Sequence, residues 1–207
     1  MAEPRTPWTA FDYAVVDVEG NGQQPPDLVE LAIVPVENGI IGNPQSWLVK
    51  PPRPITPIAR RIHRITDEQV ADAPATVQIA GELHAALNGM VFVAHNAGVD
   101  LGVIGRELPA FQPTQVLDTL KLARRLLPGR DSYQLGSLVD AFGLAEGLPS
   151  GLAPHRATYD AIVCARLLAQ LASPADRHQL TLTDLLNIAH GKTSTDTAAD
   201  EPAATLF

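Results

Sequence analysis

The sequence predicts an α/β fold, a mixed five-stranded sheet flanked by helices, on three observations. Apolar runs of strand length joined by short turns fill residues 13–50. Beyond them, further apolar runs alternate with stretches of helical periodicity, the pattern of a sheet covered by helices. The chain has 207 residues, 45% of them hydrophobic, which suffices for one core of about 150 to 190 residues. The expected organisation is one main domain over 11–175, a flexible arm over 1–10, a C-terminal helix over 176–190 and a disordered tail over 191–207.

Each element has its own reason. Tyr13–Val18 reads as a buried strand and Leu28–Val36 as a second. Glu37-Asn38-Gly39 is a hairpin turn, because Asn-Gly adopts the left-handed conformations a tight turn requires, and leads to a third strand around Ser46–Lys50. These three form an antiparallel meander. After the proline-rich KPPRPITP, Ile58–Ile62 and Asp67–Val70 read as short helical pieces. Thr76–Leu87 carries Val77, Ile79, Ala80, Leu83 and Leu87 at helical spacing. Met90–Ala94 is a fourth strand, running out through His95 and Asn96 into a helix that starts near Gly98 or Asp100. A short fifth strand ends at Asp118, read as a turn or cap acid. Helices follow over Leu120–Leu127 and Leu135–Phe142, separated by Pro128-Gly129; a Gly- and Pro-rich loop to Pro154 precedes a helix over Ala157–Leu171 and a last one over Leu180–Ile188.

Composition narrows the function classes. No stretch approaches the roughly 18 consecutive apolar residues of a membrane span, and the N-terminus lacks a basic-then-apolar leader pattern, so a cytoplasmic protein with no membrane partner is expected. The single cysteine, Cys164, lies in an apolar helical pattern and reads as a core thiol. A formal net charge of −8 argues against holding nucleic acid by a broadly basic surface. Carboxylates gathered around divalent cations reverse that logic locally, since the loaded site attracts phosphate. Two basic groups stand out: Arg60, Arg61 and Arg64 around His63, and Lys121, Arg124, Arg125 and Arg130.

The chemistry-bearing residues begin in VVDVEGNG. Side chains two apart on a strand share a face, so Asp17 and Glu19 form a carboxylate ledge at the strand's carboxyl end. Alone, such a pair is equally a solvated strand end. Asp100, at the start of a helix, is either a ligand or an N-terminal cap. In HRATYD, His155 ends a loop and Asp160 falls on the first turns of an apolar helix, where an acid is costly unless paired or metal-bound. Four acids and a histidine suit two Mg²⁺ or Mn²⁺ ions clamping a phosphodiester displacement. Asp17 is expected to bridge the ions, and the histidine to act as base. Glu30 alternates with apolar residues; a solvated face is expected ahead of a site role, with a place near the metals as the alternative.

From Tyr13 to Leu171 these residues resemble the DEDDh (DnaQ-like) family of 3′→5′ exonucleases, which includes the proofreading subunit of bacterial replicative polymerases. VDVEGNG is similar to its Asp-x-Glu motif, AHNAGVD to Ala-His-Asn-Ala-x-Phe-Asp, and HRATYDA to His-x-x-x-x-Asp. IHRITDEQVADAP and DTLKLARRLLPG match two further segments in the family's order. The resemblance implies a ribonuclease-H-like fold, metal ligands Asp17, Glu19, Asp100 and Asp160, and His155 as general base. It also implies that His63 and the backbone around Gly20 and Asn21 lie against the terminal nucleotide. Two departures concern that nucleotide: Gly20-Asn21 stands where the family has threonines, and Val99 where it has phenylalanine. The implied activity is metal-dependent 3′→5′ hydrolysis of single-stranded or frayed DNA ends, releasing nucleoside 5′-monophosphates. An RNA exonuclease and a non-catalytic, polymerase-associated nucleic-acid-binding module are the alternatives. An aspartyl-phosphate hydrolase would need a lysine beside these motifs, and none is there. The terminal EPAATLF is loosely similar to sliding-clamp-binding peptides but lacks their glutamine, which leaves a replication-protein partner and a plain frayed end both open.

Overall fold

The computed structural model describes residues 5–174 and 178–191. A mixed sheet is built from β1 (Tyr13–Gly20), β2 (Leu28–Glu37), β3 (Ile40–Ile41), β4 (Gln45–Leu48), β5 (Val91–Ala94) and β6 (Val116–Asp118). Its order is β3-β2-β1-β5-β6, with β4 also paired to β2. β1 and β2 pair antiparallel along their whole length, whereas β1, β5 and β6 run parallel. The hairpin turn is as expected, with Asn38 and Gly39 both at positive φ. The sheet counts six strands because the third position is split: β3 and β4 each pair with β2. The break lies opposite Pro35, which has no N–H to offer a ladder; Gly42 N–H donates to the Pro35 carbonyl instead.

Helices α1 (Pro57–His63), α2 (Thr76–Leu87), α3 (Gly98–Glu107), α4 (Thr119–Leu126), α5 (Leu135–Phe142), α6 (Ala157–Ala172) and α7 (Leu182–His190) follow the expected spans closely. The exception is Asp67–Val70, which forms turns. Arg64, at φ 63°, terminates α1, and Thr66 and Gln69 bond each other's backbone and side chain to hold the turn. Asp118 is the cap acid expected, accepting from Leu120 and Lys121 N–H and also from Asn96 N–H.

Strand alternation sorts the core. Tyr13 and Val15 of β1 pack with Val34, Val93 and Leu117 under α4, α5, α6 and α7. Ala14 and Val16 pack with Ile33 and Phe92 under α2 and α3. Cys164 is buried in the first of these clusters. The arm expected over 1–10 is not loose from Pro7 to Ala10: Trp8 is 2% exposed, its N–H donates to the Leu180 carbonyl and its indole Nε1–H to Ser173 Oγ. Burying an indole of this size gives that segment reason to dock. Residues 1–4, 175–177 and the tail 192–207 lie outside the described residues. No helix among the described residues is long and apolar enough to cross a membrane.

Candidate active site

β1 outruns its parallel neighbour. Its pairing with β5 ends at Val15, level with Val93, so Asp17–Gly20 project past the carboxyl end of β5 while staying laddered to β2 on the other edge. By alternation Asp17 and Glu19 continue the row of Tyr13 and Val15 and face α6. Asp160, on the first turn of α6, meets them: one ligand oxygen from each of Asp17, Glu19 and Asp160 lies within 4.8 Å of the others.

Asp100 approaches from the opposite layer without joining that trio. It is carried by α3, and it caps no helix: the N-cap position is Ala97, without a side-chain bond. Asp100 Oδ1 accepts the Val18 N–H at 3.2 Å, a donor left free where β5 has ended. The buried carboxylate thus lies against the β1 backbone at Val18, close enough to act on Asp17 electrostatically but outside the three acids whose oxygens lie within 4.8 Å of one another.

Electrostatics follow from crowding. Burial, and then the charges of Asp100, Asp160, Glu19 and Glu30, hold the Asp17 carboxyl well above the usual carboxylate range. Burial and the neighbouring Asp160 and Glu30 push Glu19 up to about 8. Burial raises Asp100 to about 7 and Asp160 to about 6, the latter moderated by His155. All four acids thus hold their protons to higher pH than free carboxyls do, Asp17 and Glu19 most strongly, in the absence of cations. A group whose folded pKa is raised contributes stability that is full below its unfolded pKa and is lost as pH rises through the folded value. The chelated protein is therefore expected to lose thermal stability steadily between about pH 4 and pH 8. Mg²⁺ or Mn²⁺ at about 100 times its dissociation constant should restore about 5 to 10 °C at pH 8. Melting curves with chelator and with either ion check this; a flat pH profile that neither ion shifts would contradict it.

His155 is exposed at the start of α6, in a left-handed conformation with φ 61°. Its backbone N–H donates to Asp160 Oδ2 at 3.1 Å. Its side chain stands at the rim of a cleft of about 540 Å³, lined also by Asp17, Asp160, His95, Gln134 and Tyr159.

On the other side of β1 a second pocket, about 320 Å³, is lined by Glu19, Gly20, His63, Val99, Ile58 and Ile62 among others. Val99 is 57% exposed there, and Ile58 and Ile62 are exposed as well, an apolar platform beside a carboxylate. His63 is 2% exposed; its Nδ1 accepts the Ile65 N–H, so Nε2 carries the proton. Nε2 faces the Gly20 carbonyl without forming a good hydrogen bond and is otherwise unpartnered. Burial lowers the His63 pKa, which keeps the ring neutral and Nε2–H a donor.

Two expectations are corrected. Asn21 is fully buried and its groups are spent within its own loop: the side chain bonds Asp27, Arg53, and the N–H groups of Gln23 and Asp27. Its backbone N–H donates to Asp27 and its carbonyl accepts from Thr56. Asn21 has nothing left to offer a nucleotide and instead shapes the turn beside Gly20. Glu30 is 3% exposed rather than solvated, because helices cover both faces of β2; it carries a bidentate pair with Arg156.

A mixed sheet with acids from two helical layers converging beyond the carboxyl end of its first strand is the architecture of ribonuclease-H-like nucleases. Comparison with known proteins identifies the family: the family model described as Exonuclease (RNase_T) matches residues 14–168, and the chain belongs to that family, the DEDDh exonucleases. Exodeoxyribonuclease 10 of Escherichia coli (strain K12) is 37% identical over 199 residues, covering 91% of this chain and 86% of the relative. The PolC-type DNA polymerase III of Halalkalibacterium halodurans is 30% identical over 191 residues, 89% of this chain but only 13% of that protein. The solved structure of Exonuclease X in complex with 5′-overhanging duplex DNA superposes with a TM-score of 0.70 at 36% identity, over 86% of this chain and 99% of that one.

Proposed function

We propose that this exonuclease removes nucleotides from the 3′ ends of single-stranded or frayed DNA, releasing nucleoside 5′-monophosphates with two divalent cations. The observation that carries the reading is the meeting of Asp17, Glu19 and Asp160 within 4.8 Å, with Asp100 entering from α3 beside Val18. The donor set is all oxygen and its acids repel one another, which fits Mg²⁺ or Mn²⁺. Asp17, Glu19, Asp100 and Asp160 would hold such ions, which would supply the charge that activates a water and stabilises the leaving oxygen. His155, exposed at the cleft rim, accepts the proton of the attacking water. The terminal base packs on Val99, Ile58 and Ile62, contacts that read no hydrogen-bonding edge. His63, buried behind Gly20, backs the wall of this pocket rather than donating into it.

The name of the relative Exodeoxyribonuclease 10 supports DNA as substrate. The test is a panel of 3′-labelled and 5′-labelled DNA and RNA oligonucleotides with either ion. Single-nucleotide release from the 3′ end of DNA is expected; release from the 5′ end, or binding without cleavage, would overturn the reading. Restoring the family's ring by Val99→Phe should add stacking area on the exposed platform and lower KM about threefold to tenfold, in line with about 1 kcal/mol for an added aromatic contact. An unchanged or raised KM would show that the base does not rest there.

A further inference from the structure

The start of α6 is tied down by a buried carboxylate, Glu30, and a partly exposed guanidinium, Arg156, neither of them in the ligand set. Glu30 lies directly across the β1–β2 ladder from Glu19. Its Oε1 accepts from Arg156 Nη2 at 2.6 Å, and its Oε2 accepts from Arg156 Nε at 3.0 Å and from Ala157 N–H at 2.9 Å. One carboxylate thereby grips the guanidinium and the first N–H of α6 at once, in the two-pronged geometry that arginine offers and lysine does not. Arg156 is the N-cap residue of α6, in extended conformation, and it directly follows His155 at φ 61°. On the other side of the histidine backbone, Asp160 holds its N–H. The chain bends sharply between two anchors, and both belong to the acidic site.

We propose that Glu30 and Arg156 are positioning residues that fix the His155 bend over the carboxylate cluster, so that the imidazole searches for the attacking water by side-chain rotation alone. This rests on the reading of His155 as the general base. A buried carboxylate is costly unless paired, and Glu30 sits among acids it already repels. Its retention there is explained by what it holds. Losing the pair frees the His155 segment to move relative to β1 without removing any metal-ligand candidate.

The test is a kinetic cycle on the full chain with saturating Mg²⁺ and an end-labelled oligonucleotide, using Arg156→Gln, Arg156→Lys, His155→Ala and the double variant R156Q/H155A. Arg156→Gln should lower kcat about 10- to 100-fold, the usual size for loss of an outer partner of a catalytic group, with KM within about twofold. Arg156→Lys should recover part of the loss. In the His155→Ala background the same substitution should cost little, because its effect acts through the missing ring. An equal loss in both backgrounds, or a loss confined to KM, overturns the proposal, the latter by showing that Arg156 touches substrate directly. Should His155→Ala itself leave kcat unchanged, the general-base reading fails, and that result is distinguishable from the others. Should Arg156→Gln fold poorly, Glu30→Gln provides the same cycle from the partner side, keeping the bond to Ala157 N–H through its amide oxygen.

Discussion

Asp17→Asn is expected to lower turnover by at least about 10³-fold, several kcal/mol of transition-state stabilisation, while leaving the metal-free fold at least as stable as the parent. Both halves follow from the placement of Asp17. It is the acid on which the largest number of others converge: Asp100, Asp160, Glu19 and Glu30 all disfavour its charge, after burial itself. Asparagine has nearly the same shape but carries no charge, so it removes the proposed metal ligand's charge and the repulsion in one step. Above neutral pH the chelated variant should melt higher than the parent, and its stability should fall less between about pH 4 and pH 8, because one raised carboxyl no longer titrates. Added Mg²⁺ should raise its melting temperature less. Degradation of a labelled oligonucleotide and melting curves on the same preparation are the measurements. Undiminished turnover would remove Asp17 from the mechanism, and an unfolded variant would show that the residue is structural.

Which parts of this site were legible in the sequence depends on whether a local pattern controls them. Asp17 and Glu19 were legible because a strand's alternation decides their common face, and Val15 and Val16, both buried, declare the strand. The helix carrying Asp160 was legible from its apolar periodicity. Asp100 was found as a residue but not as a geometry: that it comes from the opposite helical layer to reach the Val18 N–H depends on β5 ending early, which no local pattern encodes. The resemblance places the backbone around Gly20 and Asn21 against the nucleotide, whereas Asn21 closes its own loop. Short amides commonly bond backbone groups nearby, and that rule, applied to the Asn21 to Asp27 stretch, would have signalled the bonds observed. Alternation places Glu30 on a solvated face because it describes a strand with one wet face, and β2 has none. The Glu30–Arg156 pair joins residues 126 apart in the chain, so only folding reveals it. Trp8, in the short stretch PWTAF, gives no period, and its docking against Leu180 and Ser173 is a tertiary fact.

His155→Ala should lower kcat about 10²- to 10⁴-fold, the range for losing a general base, and leave the affinity for Mg²⁺ or Mn²⁺ nearly unchanged. The separation is possible because the histidine acts on the site through two different groups. Its backbone N–H bonds Asp160 Oδ2, and any residue other than proline retains that bond; its imidazole is exposed at the cleft rim and is what the substitution removes. A left-handed residue tolerates alanine less well than asparagine, so His155→Asn serves as the companion variant: equal losses in both would assign the effect to the missing base rather than to backbone strain. Because the cleft is open at that point, added imidazole should restore part of the rate in the alanine variant without altering the metal dependence. Loss of metal affinity in step with kcat, in both variants, would instead assign His155 to holding Asp160 in place, and the proton would need another acceptor within the cleft.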